Sequence, residues 1–471
     1  MEALGAYGNN DIITPHLDQL AKDGVLYRNS YCPLPVCTPS RYSLISGMYV
    51  HEHAGWSNHS TLNPAIETFP DVMRKAGYKT KAVGKMHFAP TYLDVGFDEL
   101  VLAEQDGPGR WDDDYHRELM ANNLADKIDL EDQRREYRQN APEEYWASFG
   151  TESTELPDEY YHTNWTAKHA YESIEGWEDS GNLLMIGFLK PHHPFDPPKR
   201  WVEYYDPDTL EILPGWIDQP LEYDTSYYQG YFQNVSLSTK TLKKSMAYYY
   251  ATITQIDYEV GRMVALLKEK GIYDNTIIIY TSDHGEHLGY HHQLLKGGHL
   301  YESIMKVPLI IKYPKSRGAG TESDQLVSNV DIAPTILKET DLTVPETMSG
   351  KLLTDVDFSR EYVFAHSRNG GQAMARSNKY KLVLTKNGAS LFFDLEKDPL
   401  ELNNLFEDGD YSDLIQEHKK AIIQWQGRET LEGENYLNYD APVIKQANVV
   451  TRDDGHRDSI ISYYKAKMEE Q

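Results

Sequence analysis

The sequence predicts an α/β fold: a mostly parallel sheet sandwiched between helices, followed by a smaller C-terminal α+β subdomain. Three observations carry this prediction. Short, largely apolar runs at 81–83, 183–189 and 276–280 each end in a polar loop containing His with Lys or Asp. Helical stretches such as 245–270 lie between runs of this kind, the alternation expected of a parallel sheet buried on both faces. Beyond about residue 353 the texture changes to strands alternating with short polar turns.

Each element follows in chain order. Lys81-Ala82-Val83 leads into Gly84-Lys85-Met86-His87, and the run 183–189 leads into Lys190-Pro191-His192-His193-Pro194. The run 276–280 leads into Ser282-Asp283-His284-Gly285. Working residues of parallel sheets sit beyond the carboxyl ends of the strands, which is where all three loops fall. Residues 308–311 and 326–330 read as further strands, the latter running into Asp331-Ile332-Ala333-Pro334-Thr335. Residues 379–384 and 391–394 read as an antiparallel pair around the turn Lys386-Asn387-Gly388, closed by a helix over 411–425. The expected division is therefore a catalytic domain over 1–353 and a subdomain over 354–471. Residues 106–165 are acidic, rich in Tyr and Trp, and show no clear period. Two readings stand for them: an insertion that shapes a pocket, or surface padding with local helix. No internal repeat is present.

Composition narrows the function classes. A chain of 471 residues with 40% hydrophobic content buries a substantial core. No apolar run approaches about 18 residues, so no membrane-spanning helix is expected. The net charge of −27 argues against nucleic acid as partner. It does not argue against a small anionic substrate, because a few cations dominate the field inside a cleft. Two cysteines, Cys32 and Cys37, make no disulfide framework. The first residues show no signal peptide, so the chain as written reads as cytoplasmic, with its compartment left open.

The chemistry concentrates in motifs. Cys37-Thr38-Pro39-Ser40-Arg41 continues as Tyr42-Ser43-Leu44-Ile45-Ser46-Gly47. Gly77 to His87, Lys190-Pro191-His192-His193-Pro194-Phe195, Ser282-Asp283-His284-Gly285-Glu286 and Lys296-Gly297 follow in order. The run Asp394 to Leu405 comes last. Taken together these motifs resemble the formylglycine-dependent, Cys-type sulfatases of the alkaline-phosphatase-like superfamily, over nearly the whole chain. Ser46 stands where the family more often has Thr.

The resemblance implies hydrolysis of a sulfate monoester, on a sulfated carbohydrate or an aryl sulfate. It implies that a maturase oxidises Cys37 to formylglycine, whose hydrate has one hydroxyl to attack sulfur and a second to expel sulfate. It places Arg41, Lys85 and Lys296 as cations around the nucleophile, His87 as base, and His192 with Lys296 as donor to the leaving oxygen. It implies one Ca²⁺, held by the residue-37 side chain with Asp283 and His284. His193 is read as structural, His291 as either structural or substrate-facing, and His51 and His53 as solvated surface in preference to lining the pocket mouth.

One departure stands out. In the family a first strand ends in two metal ligands, usually Asp-Asp or Asp-Gln, and the run Glu2 to Asn9 resembles the segment just after them. The chain is thus expected to lack a central strand and half of the metal shell. Two other functions compete: a phosphonate or phosphate ester hydrolase of the same fold, and a metal-poor pseudoenzyme. The Lys85-x-His87 pair favours sulfate, because hydrolases of the phosphonate type generally lack it.

Overall fold

The computed structural model describes residues 3–104, 113–125, 141, 143–178, 180–227, 232–427, 459, 462–463 and 466–467. Strands β1 (Val25–Tyr31), β5 (Ile278–Thr281), β6 (Lys306–Lys312) and β7 (Thr321–Ser328) form one sheet in the order β5-β6-β1-β7. Strands β2 (Lys79–Gly84), β3 (Glu99–Leu102) and β4 (Asn182–Gly187) form a parallel sheet in the order β3-β2-β4. The first sheet is mixed: β1 pairs in parallel with β7, whereas β6 runs antiparallel to both β1 and β5. Pro308 sits inside β6 and has no N–H for the ladder. The register of β1 shifts opposite it, between Tyr27 and Ser30, so a bulge absorbs the missing donor. Beside it the Tyr7 hydroxyl accepts from Leu309 N at 2.8 Å and lies 3.0 Å from Tyr27 O, filling the break.

The edges of β4 and β5 face each other across a cleft of about 1420 Å³, and among the described residues no strand pairs with either edge. Leu183 to Ile186 and Ile278 to Thr281 are only half-buried although mostly apolar.

Helices cover both faces. The first are α1 (Pro15–Asp23), α2 (Cys37–Ser46) and α3 (His162–Glu175), followed by α4 (Thr239–Glu269) and α5 (Ile332–Glu339). The helix read over 245–270 starts earlier, as α4, because the Ser238 hydroxyl accepts from Thr241 N at 3.1 Å and caps it. From α4, Asp257 accepts the N–H groups of His16 and Leu17 at 3.3 and 2.7 Å, capping α1 from outside its own chain segment.

Four C-terminal strands make an antiparallel meander: β8 (Val363–His366), β9 (Gln372–Arg376), β10 (Tyr380–Thr385) and β11 (Leu391–Asp394). The expected hairpin is β10–β11, and the expected helix is α6 (Ser412–Trp425). Alternate side chains face opposite ways. Ala373, Leu382 and Phe392 pack under Ile415 and Ile422 of α6, while Met374, Val383 and Phe393 pack against Tyr31, Tyr301 and Ile304. Of the stretch 106–165, residues 106–112, 126–140 and 142 lie outside the described residues, so its pocket-shaping reading falls there. Within the described part, Tyr115, Leu119, Leu156 and Trp165 form a small core with Ala103.

Candidate active site

Helix α2 opens at Cys37, and its first turn ties three loops together. Thr38 Oγ1 donates to His87 O at 2.6 Å, Ser40 Oγ donates to Asp283 O at 2.6 Å, and Arg41 Nη1 donates to Lys85 O at 2.6 Å. The loops after β2 and β5 are thereby drawn onto the helix N-terminus, where peptide dipoles favour negative charge. The loops after β2 and β4 approach so closely that a Cβ on Gly187 would overlap Lys85 O, and one on Gly84 would overlap Gly187 O.

Around Cys37 Sγ the predicted residues converge. Lys296 Nζ lies at 3.3 Å, His284 Nε2 at 3.4 Å and Lys85 Nζ at 3.5 Å. Lys296 also reaches His192 Nε2 at 2.9 Å and His284 Nε2 at 3.2 Å. Carbonyls fix both tautomers: His192 Nδ1 is 2.6 Å from His193 O and His284 Nδ1 is 2.8 Å from Gly285 O, so each Nδ1–H donates. His192 Nε2 then turns a lone pair toward the Lys296 ammonium, which lies between Cys37, His192 and His284. Arg41 Nε donates to Asp283 Oδ2 at 2.8 Å in a nearly buried ion pair. Sulfur, the Asp283 carboxylate and His284 Nε2 lie within 4.8 Å of one another.

The electrostatics follow from these contacts. Burial opposes ionisation of the Cys37 thiol, but Lys296, Lys85 and His284 outweigh it and hold the thiol well below its ordinary range. Burial pushes His192 well below the usual imidazole range, and Lys296 and Lys85 push it further. For Asp283 burial is again the largest influence, yet Arg41 and His284 overcome it and keep the carboxyl well below its usual value. The arrangement suits a tetrahedral anion held by fixed cations beside a strong nucleophile.

His87 lines the same cavity, with a left-handed backbone at φ +55°. Sequence reasoning missed what holds it there. The buried carboxylate of Glu104 accepts Met86 N–H at 3.0 Å and His87 N–H at 2.9 Å. Glu104 follows β3 outside any recognisable motif, and nothing in its neighbours signals it. His287 was missed as well. Its Nε2 is 2.9 Å from Gly297 O and its N–H donates to Leu295 O at 3.0 Å, which anchors the loop carrying Lys296. Burial pushes His287 down to about 4, so it stays neutral.

The remaining histidines separate cleanly. His193 is buried with Nε2 2.9 Å from Phe149 O, and His291 is buried with Nε2 2.7 Å from Leu400 O. Both are structural. The surface reading of His53 is overturned: it is buried, 2.9 Å from Ser43 Oγ, and burial pushes it down to about 3. His51 packs edge-on against Trp425 at 4.6 Å, so it too serves the seam with the C-terminal sheet rather than solvent. Both cysteines are free and buried.

The sulfatase family model matches residues 2–342, and that of the N-sulphoglucosamine sulphohydrolase C-terminal region matches residues 285–428. An arylsulfatase of Clostridium perfringens is 30% identical over 462 residues, covering 91% of this chain and 92% of the relative. An N-acetylglucosamine-6-O-sulfatase of Bacteroides thetaiotaomicron is 28% identical, covering 93% and 86%. Among solved structures, the phosphonate monoester hydrolase of Agrobacterium radiobacter shares the fold with a TM-score of 0.73 at 22% identity, covering 90% and 93%. A protein solved with its substrate D-glucosamine-2-N,6-O-disulfate does so with a TM-score of 0.71 at 22% identity, covering 93% and 96%. With the predicted motifs gathered at one cleft and the family match spanning most of its length, the chain belongs to the sulfatase family, hydrolases of sulfate esters on an alkaline-phosphatase-like fold.

Proposed function

We propose that the chain hydrolyses a sulfate monoester of a sulfated carbohydrate, with Cys37 converted by a maturase to formylglycine as the working residue. The observation that carries this reading is the shell around Cys37 Sγ: two ammonium groups at 3.3 and 3.5 Å and an imidazole at 3.4 Å, at a helix N-terminus. An aldehyde hydrate at this position supplies one hydroxyl for attack on sulfur and a second for expulsion of sulfate. Lys85 and Lys296 hold the sulfate oxygens as fixed point charges. Lys296 keeps its proton on the lone pair of His192 Nε2, so the pair delivers a proton to the departing sugar oxygen. His87, on the loop after β2, takes the proton whose loss releases sulfate. Arg41 orients Asp283 and balances its charge. The carbohydrate part of the proposal draws on the Bacteroides thetaiotaomicron relative, named an N-acetylglucosamine-6-O-sulfatase. The division into a catalytic domain over 1–353 and a subdomain over 354–471 belongs to the same reading, supported by the separate antiparallel sheet.

Asp283, His284 and the residue-37 side chain would hold a divalent cation, which when bound polarises a sulfate oxygen and favours the ionised hydrate. A thiolate is a soft donor and Ca²⁺ takes hard oxygens, so the trio suits Ca²⁺ only once oxygen replaces sulfur at position 37. Even then it offers few of the six to eight ligands that Ca²⁺ requires. The similarity of fold to phosphonate monoester hydrolases supports a second reading, hydrolysis of a phosphonate or phosphate ester. The Lys85-x-His87 pair weighs against it. Mass spectrometry of the Cys37 peptide after co-expression with a maturase tests the proposal. Conversion to the aldehyde, together with aryl sulfate turnover, supports it. An unmodified thiol under those conditions favours a ligand-binding pseudoenzyme.

A further inference from the structure

The geometry points to an anion-recognition subsite at the mouth of the cleft, built on Arg368 with Asn387, that takes a second sulfate or carboxylate on the same sugar. This rests on the sulfatase reading and narrows its substrate class to sugars carrying two anionic groups.

Arg368 and Asn387 line the same cavity as Lys85, His87, His192 and Lys296, but arrive from the C-terminal sheet. Arg368 lies on the β8–β9 turn and Asn387 on the β10–β11 turn, and the meander brings both turns to one end of the sheet. A backbone bond ties the two turns together, Lys386 N–H donating to Gly371 O at 2.9 Å, and Ser367 N–H donates to Gln372 O at 3.1 Å to close the β8–β9 turn itself. Tyr227, at the end of the short helix Glu222–Tyr227, wedges between them. A Cβ added at Gly388 would lie 3.1 Å from the Tyr227 ring, and one at Gly371 would lie 3.6 Å from its hydroxyl. The Tyr227 ring is itself held by stacking on His299, with centroids 4.5 Å apart. The platform is thus preorganised, while the Arg368 and Asn387 side chains stand exposed upon it.

Charge accounting separates Arg368 from its neighbours. Among the other cavity-lining cations, Arg41 is paired with Asp283, Lys190 is paired with Asp196, and Lys85 and Lys296 converge on Cys37. Arg368 has no acidic partner among the described residues. A chain of net charge −27 repels a polyanionic sugar over most of its surface. Screening confines that field to roughly 8–10 Å at moderate salt, so a local guanidinium decides what the mouth accepts. The planar fork of Arg matches sulfate or carboxylate with two parallel bonds, and the Asn387 amide adds a donor and an acceptor for the same group or a sugar hydroxyl.

The test is calorimetric binding at low salt of N-acetylglucosamine 6-O-sulfate and of glucosamine 2-N,6-O-disulfate to the full chain and to its Arg368→Gln and Arg368→Lys variants. The wild type is expected to prefer the disulfate, Arg368→Gln to lower that preference about tenfold, and Arg368→Lys to retain part of it. A wild type indifferent to the second sulfate, or an Arg368→Gln variant with unchanged preference, overturns the subsite. Calorimetry needs no turnover, so a wild type that binds with the expected preference but fails on every sulfate ester would sink the catalytic reading while leaving the subsite standing.

Discussion

Glu104 gives the sharpest single-residue prediction. Its carboxylate is the acceptor for the N–H groups of both Met86 and His87, and His87 is held at φ +55°. A left-handed non-glycine residue costs about 1–3 kcal/mol and persists only where its surroundings enforce it. Glu104→Ala orphans two buried N–H groups at about 1–3 kcal/mol each. Against that, the variant removes a carboxyl whose burial is unfavourable, so the expected net loss is about 2–4 kcal/mol. Glu104→Gln keeps one acceptor oxygen and should lose only about 1 kcal/mol. Urea unfolding reads this as a shifted midpoint at constant slope. Aryl sulfate kcat should fall further than KM changes, because His87 moves while Lys85 and Lys296 stay. Burial pushes the Glu104 pKa up, with the charge of His87 opposing. Its contribution to stability is therefore full below the unfolded carboxyl value of about 4.3 and is lost as pH rises through the higher folded value. Glu104→Gln should lack that slope. An alanine variant with wild-type midpoint and wild-type kcat would refute the reasoning.

Three further outcomes are expected. Before maturation, despite burial, Lys296 and Lys85 hold the Cys37 thiol well below its ordinary range, while burial pushes Cys32 up, so thiolate ultraviolet absorbance should titrate Cys37 at lower pH than Cys32; Lys296→Met should move the Cys37 titration upward. Arg360 makes two bonds of 2.6 and 2.7 Å to the buried Asp331, and Arg360→Met should cost about 3–5 kcal/mol in denaturant unfolding by leaving that carboxylate unpaired. Despite burial, Lys381 and Arg376 hold Glu302 down to about 2. Its stabilisation is present above the unfolded carboxyl value of about 4.3 and is lost as pH falls toward the folded one, so thermal melts should drop over that acid range, less so in Glu302→Gln.

What the sequence revealed and what it hid have physical causes. The runs before the three histidine-bearing loops were legible because each is a short, continuous, largely apolar segment, and the loops after them carry dense, unusual chemistry. Strand β1 was not, because Arg28 and Asn29 interrupt it; both sit at the bulge opposite Pro308. Strands β8 and β9 went unread for a different reason. Ala373 and Ala375 are small residues packed under α6, Ala365 packs on the opposite face, and none of them gives a β-branched signal. Within the site, Cys37, Lys85, His192, Asp283, His284 and Lys296 stood in motifs and meet in space. Glu104 and His287 act on backbone groups, and a residue that serves a neighbour's N–H or carbonyl needs no fixed sequence context. His53 was misread because a polar residue beside a helix end looks solvated until Tyr42 and Ser43 of α2 enclose it.

The central claim is that this cleft is built to expel sulfate. The most direct test compares kcat/KM on an aryl sulfate and on the matching aryl phosphonate monoester, using chain whose residue 37 is shown by mass to be converted. The account predicts a clear preference for the sulfate, abolished by Lys296→Met. Equal or better turnover of the phosphonate by the same sample would contradict it.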